Sequence, residues 1–426
     1  MSGLLVGVAL AALLVGTEAF FTALSVLNLR HERENVERER EWVRSELGID
    51  DPGRMLDYHR TKTGLSLLRR WLTLGAVLLV LFSGLFAGAV RAVAGLGIGP
   101  LAEGGVFVAG VVLAGRLFGV PFDLVDTFVV EEVFEFNEQS VRLWARDQVV
   151  GTAVGLALAV PLAVAVLWVV GAVSYWPAAA WALVMVFQVG MLVVKPRVID
   201  PLFYEFERID SGELREAVDE VFERAGFTCE QVYEMDYSSR SSHSSAYFVG
   251  FGRTKRVVLF DTLIEDMDTG EIQSVLAHEL AHWKEGHIWK FVALAAVELG
   301  VIVALLGYLV GADWLYAPFA VPETAYAGLA LALLWVGPLT RLVSPVSNYL
   351  SLAFEREADT FAAEVMDGET MASALANLAA ENLATLFPHP LYETFHYDHP
   401  PIPERIRYVR EIDGGSDADS EVVASD

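Results

Sequence analysis

Two histidines four residues apart, with a glutamate beside the first, are the residues in this chain best suited to chemistry. The run AHELAHWKEGH (277–287) holds His278, Glu279 and His282. On a helix, residues i and i+4 share a face, so both imidazoles can reach one metal ion. Glu279 is then placed to take a proton from a water that the metal activates. His287 lies nine residues beyond His278. That spacing is half a turn out of phase, so it cannot join the pair without a break in the helix. The longer metzincin pattern needs glycine at 285 and histidine at 288, where Glu285 and Ile288 stand.

A third ligand must come from elsewhere, and FEREAD (354–359) offers it. Glu355 and Asp359 are i, i+4 and share a helical face, whereas Glu357 is about 200° away from Glu355 and points elsewhere. Glu355 is therefore assigned to the metal and Asp359 to orienting a ligand histidine. Two imidazoles and a carboxylate around one Zn²⁺ per chain leave a fourth position for water, a gluzincin-like arrangement. The only cysteine is Cys229, read as a small buried hydrophobe, which excludes an internal disulfide and a thiolate site.

Several elements must position these groups. Asp268 with Glu271 three residues on forms a capping box, and Ile272, Val275, Leu276 and Leu280 make the apolar stripe of the helix it opens. Upstream, 246–251 and 256–260 read as two strands joined by a turn at 252–255. Residues 213–225 form an amphipathic helix closed by Gly226. The run SSRSSHSS (238–245) is a polar loop in which His243 is solvated rather than a ligand.

The wider composition sets the surroundings. Apolar residues make up 54% of the 426, yet 56 acids against 30 bases leave a net charge of −26. Such a chain separates into apolar segments in lipid and acidic ones in water, and its charge argues against a nucleic-acid partner. Seven stretches can span a bilayer: Leu4–Leu27, Trp71–Val90, Gly105–Val120, Val149–Val173, Ala178–Val194, Phe291–Val310 and Ala325–Leu342. Ten basic residues, from Arg30 to Arg70, lie between or at the edge of the first two spans, whereas the alternate loops hold only Arg91. This bias puts 195–290 and the C-terminus in the cytoplasm. The ionisable Glu18, Arg116, Glu298 and Arg341 within spans should face a chamber or another helix.

The expected fold is therefore mainly α and polytopic. A five-span region (1–195) is followed by a cytoplasmic metalloprotease segment with a small β-hairpin (196–290) and a transmembrane hairpin (291–345). Zinc-ligand and substrate-site helices (346–410) come next, and last a disordered acidic tail (411–426). The hairpin joins the two halves of the metal site.

HELAHW and the later EREAD, separated by two spans, resemble the integral-membrane zinc endopeptidases of the CAAX prenyl protease type, of which the heat-shock protease HtpX is a relative. SSAYFVGF (244–251), VVLFDTLIE (257–265), DPLF (200–203) and HPPIPER (399–405) extend the likeness. VVLFDTL with HPP-x-x-ER favours the CAAX type over HtpX. The resemblance implies seven helices around a large chamber and cleavage near the C-terminus of prenylated chains. It implies that His399 and Arg405 stabilise the oxyanion. It also implies that Ser245, where the family has asparagine, and Ala246 lie beside the substrate as a neighbouring strand. The partners so implied are a peptide or protein substrate, lipidated or membrane-associated, and the lipid bilayer of the plasma membrane. Two other readings are an HtpX-like quality-control protease and a non-catalytic transporter or scaffold. Glu279 and the absence of inverted repeats of spans speak against the last.

Overall fold

The computed structural model describes residues 3–228, 231–250 and 255–423, with side chains through 412 in the last helix. Cys229 and most of the expected 252–255 turn lie outside the described residues. The membrane region comprises α1 (Gly3–Arg38), α2 (Arg40–Leu47), α3 (Pro52–Phe82), α4 (Leu85–Ala94), α5 (Pro100–Val125), α6 (Val141–Ala172) and α7 (Trp176–Val194). Then follow β1 (Phe206–Arg208), α8 (Glu213–Arg224), β2 (Val232–Met235), β3 (Ala246–Val249), β4 (Arg256–Phe260), α9 (Asp261–Asp266) and α10 (Thr269–Lys284). The chain returns through α11 (His287–Val310) and α12 (Ala325–Val365) and ends in α13 (Gly368–Glu381), α14 (Pro390–His396) and α15 (Ile402–Val423).

Seven of these helices are long and apolar enough to cross a membrane: α1, α3, α5, α6, α7, α11 and α12. α1 packs on α3, α4 bridges α3 and α5, and α5, α6, α7, α11 and α12 then pack in turn, α12 closing on α1. They close a ring. Only 6–33% of the most apolar window of any span is buried, too little for a filled bundle. The core divides instead between the two ends. Leu10, Leu81, Phe86, Phe107, Leu167, Leu306, Leu315 and Leu331 seal one mouth. Val218, Leu259, Leu263, Leu276, Leu280, Leu375 and Ile406 form a separate core at the other. A chamber lies between them.

The second span differs from the expected one. α3 begins at Pro52, where the Asp51 carboxylate accepts hydrogen bonds from the Gly53 and Arg54 backbone N–H groups. It ends at Phe82 because Gly84 adopts φ +87°, and the remaining apolar residues fold as the separate α4. Several charges carried inside the spans are paired. Arg341 lies 2.9 Å from Glu18, Arg69 lies 2.8 Å from Asp123, and Arg116 bonds Asp123 and Gln148. Glu298 is exposed on α11.

The expected hairpin is β3–β4, antiparallel, with Ala246 opposite Leu259 and Val249 opposite Arg256. It belongs to a four-stranded sheet of order β1-β2-β4-β3, with β2 and β4 parallel, so β3 is an edge strand. His243 is only partly exposed: it stacks on Phe136 at 4.1 Å and meets Asn382 at 3.0 Å. The α15 backbone is helical from Ile402 through Val423, and buried Ile406 and Val409 anchor its first turns.

Candidate active site

The helix α10 carries the paired histidines. Its capping box closes as the sequence suggests: Asp268 Oδ1 accepts from Glu271 N at 2.9 Å, and Glu271 Oε2 accepts from Asp268 N at 3.1 Å. Ile272, Val275, Leu276 and Leu280 are all buried, each contributing about 1.5–3 kcal/mol. Ser373 and Asn377 of α13 donate to the same Glu271 carboxylate and tie the helix down. Glu355 and Asp359 stand on α12, a single 41-residue helix that runs from the membrane into the site despite Pro338 and Pro345. The two halves of the site thus sit on rigid, packed helices.

His278 Nε2 and His282 Nε2 are 3.3 Å apart. Glu355 Oε2 lies 3.3 Å from His278 Nε2, and Oε1 lies 3.2 Å from His282 Nε2. Glu355 is 3% exposed, and its Oε2 has no hydrogen-bond partner. Four donors around an ion at ligand distances of about 2.0–2.1 Å are about 3.3 Å from one another in a tetrahedron. The two imidazole nitrogens have that separation, and the Glu355 carboxylate brings one oxygen within 3.3 Å of the first and its other oxygen within 3.2 Å of the second. A buried carboxylate with one oxygen lacking a donor, set against two imidazole nitrogens, is the arrangement a divalent cation completes. This is the group of His, Asp and Glu side chains among the described residues that could hold a metal ion.

The nitrogens turned away from this triangle are held by other groups. Asp359 Oδ1 lies 2.9 Å from His278 Nδ1, so that nitrogen carries the proton and leaves Nε2 free as a donor to metal. Burial and Arg405 push the His278 pKa down, but the Asp359 and Glu355 carboxylates outweigh them and raise it well above the ordinary histidine value. Arg405, on α15 and 8% exposed, gives both of its near nitrogens to Asp359, at 2.9 and 2.6 Å. Its guanidinium is committed behind His278. His399, by contrast, points Nε2 at Glu355 Oε1 (3.4 Å), while Asp398 holds its Nδ1 at 2.9 Å and raises its pKa.

Glu279 is half-buried beside the triangle and makes no hydrogen bond or ion pair to another described residue. Ser245 is exposed at the start of the edge strand, its carbonyl accepting from Phe260 N at 3.1 Å, and Ala246 is buried next to it. The β3 strand packs on α10, which brings the free edge to the histidine helix. An open cavity lined by Phe291 and Leu294 of α11 and Ser347, Asn348 and Ser351 of α12 reaches His282, Glu355 and His399. Two side chains went unassigned on sequence grounds. His287 Nδ1 lies 2.9 Å from His282 Nδ1, and Glu357 Oε2 lies 2.8 Å from His287 Nε2. Gly286, at φ +68°, supplies the helix break that brings His287 round.

A ring of membrane helices around a chamber, closed by a metal-binding HExxH helix, defines an integral-membrane metallopeptidase. Two family models agree with that class. The model of peptidase family M48 matches residues 208–413, and that of the CAAX prenyl protease N-terminal region, five membrane helices, matches 35–205. The chain is 35% identical over 309 residues to the CAAX prenyl protease 1 homolog of Arabidopsis thaliana, covering 71% of this chain and 72% of that one. The human homolog is 28% identical over 358 residues, covering 74% and 75%. The crystal structure of S. mikatae Ste24p superposes with a TM-score of 0.85 at 26% identity, covering 95% of this chain and 98% of that one. The chain belongs to peptidase family M48, among the CAAX prenyl protease 1 homologues. It is a multi-pass membrane metalloprotease that hydrolyses peptide or protein substrates.

Proposed function

We propose that the protein is a zinc endopeptidase that cuts near the C-terminus of prenylated, CAAX-type chains. The observation that carries this reading is the cluster of His278, His282 and Glu355, in mutual contact at 3.2–3.3 Å through both carboxylate oxygens, at the mouth of a hollow membrane ring. These three residues hold one Zn²⁺ per chain. Zinc supplies Lewis acidity to a water nucleophile and to the scissile carbonyl. Glu279, whose carboxylate is free, accepts the proton of the attacking water and returns it to the departing amine. His399 Nε2 faces the same space and offsets charge developing on the carbonyl oxygen. Arg405 acts through Asp359: it anchors the carboxylate that orients His278, in place of the direct oxyanion role suggested by the family resemblance. Ser245 and Ala246 offer the β3 edge to an extended substrate backbone.

The substrate class rests on the relatives, which are named as CAAX prenyl proteases. The open cavity at the site supports it: Phe291 and Leu294 offer an aliphatic tail an apolar surface within reach of His282 and Glu355. The basic residues between the first two spans support an active site on the cytoplasmic side of the plasma membrane.

The test uses the full chain in lipid nanodiscs with a fluorogenic peptide ending in Cys-a-a-X, with and without a farnesyl group on the cysteine. Cleavage of the prenylated peptide, abolished by chelation and restored by zinc, is expected. Equal turnover of the two peptides would remove the prenyl preference. No zinc-dependent cleavage of either would remove the proposal.

A further inference from the structure

The two imidazoles of the metal triangle are supported differently. Behind His278 stands a carboxylate, Asp359. Behind His282 stands another imidazole. His287 Nδ1 is 2.9 Å from His282 Nδ1, His287 Nε2 is 2.8 Å from Glu357 Oε2, and Lys290 Nζ reaches the same oxygen at 3.3 Å. His287 is fully buried, and its ring stacks on Phe354 at 4.6 Å with an 18° tilt. Gly286 at φ +68° ends α10 so that His287 turns back toward His282.

We infer that His287 and Glu357 form a relay that positions His282 for the metal; this rests on the reading that His278, His282 and Glu355 hold zinc. Proton counting carries it. A ligating His282 gives its Nε2 lone pair to the metal, so its Nδ1 carries the hydrogen. That hydrogen can only be donated to an acceptor, and the nearest atom is His287 Nδ1. His287 must then keep its own hydrogen on Nε2, and Glu357 Oε2 accepts it there. Each link fixes the tautomer of the next, from a carboxylate through a neutral histidine to the ligand. His287 is a positioning residue, one step further out than the usual carboxylate–histidine–metal triad. Glu357, half-exposed and held by Lys290, supplies the charge that such triads normally place directly on the ligand.

Three substitutions at 287 separate this role from simple packing. Phenylalanine keeps the ring stacked on Phe354 but removes both nitrogens. Asparagine places its Oδ1 where Nδ1 stood and can still accept from His282. Glutamine reaches the Nε2 position, near Glu357, and leaves His282 without an acceptor. The readout is the zinc dissociation constant of the full-length protein in nanodiscs, by competition with a chromogenic chelator. His287→Phe and His287→Gln should weaken zinc about 10–100-fold, the usual loss for a removed outer partner. His287→Asn should stay within about threefold of the parent, below the loss in either of the other two. Zinc binding unchanged in His287→Phe would overturn the relay. So would an equal loss in all three that tracks their melting temperatures. Glu355→Ala is the control: if it leaves zinc bound as before, the triangle itself is wrong and the relay falls with it.

Discussion

Arg405 offers the sharpest division between two accounts of this site. It contributes either to the carbonyl oxygen of the substrate or to the carboxylate behind His278. Its hydrogen bonds support the second: two to Asp359 at 2.9 and 2.6 Å, with the pair 8% and 0% exposed. Replacing one partner leaves an uncompensated buried charge, which costs about 3–5 kcal/mol. Arg405→Met and Asp359→Asn should each destabilise the protein by that order. The double variant has no stranded charge and should recover on the order of 1–3 kcal/mol of the summed loss, the size of coupling seen between residues in direct contact. The same cycle is then read in kcat/KM with the fluorogenic peptide. If Arg405 works through Asp359, adding Arg405→Met to Asp359→Asn costs little further rate. A donor aimed at the oxyanion would cost about 10²–10³ in either background. Equal rate losses from Arg405→Met with and without Asp359 would refute the positioning role.

Glu279→Gln keeps the shape of an unpartnered side chain and should retain zinc by elemental analysis while kcat falls about 10²–10⁴-fold; retained turnover would take Glu279 out of the proton-transfer role. Gly286→Val forces a β-branched residue into φ +68°. The backbone cost is about 1–2 kcal/mol, and thermal unfolding should show it, with Gly286→Asn milder because asparagine tolerates that region. Arg341→Leu leaves Glu18, 7% exposed, with Arg70 at 3.6 Å as its remaining basic partner. A loss of about 1–3 kcal/mol in nanodisc melting is expected, the cost of a charged hydrogen bond removed from a buried group, and Glu18→Leu with Arg341→Leu should regain much of it.

Much of the site was legible because its spacing is local. The i, i+4 histidines, the capping box and the apolar stripe all lie within 268–282, and Glu355 and Asp359 repeat the same interval on α12. The seven spans were legible from length and apolarity alone. Features decided by tertiary contact or by one backbone torsion were not. His287 looked out of phase because the helix was assumed continuous. Glycine directly after Lys284-Glu285 is a helix-ending signal that, given weight, frees His287 and exposes its bond to His282. Gly84 did the same to the second span. The strands β1 and β2, three and four residues long, carry no alternation that marks them, and their pairing depends on partners distant in the chain. The neighbourhood of Arg405 in sequence, HPPIPER, gives no sign of its hydrogen-bond partner Asp359, which stands 46 residues earlier.

The central claim is that His278, His282 and Glu355 share one zinc ion. X-ray absorption spectroscopy on the purified full-length protein, paired with elemental analysis, tests it most directly. One zinc per chain with light-atom ligands at about 2.0–2.1 Å, two of them imidazoles, is the predicted result, together with loss of that signal in Glu355→Ala. Protein that carries no metal after zinc loading, or a Glu355→Ala variant with an unchanged spectrum, would contradict it.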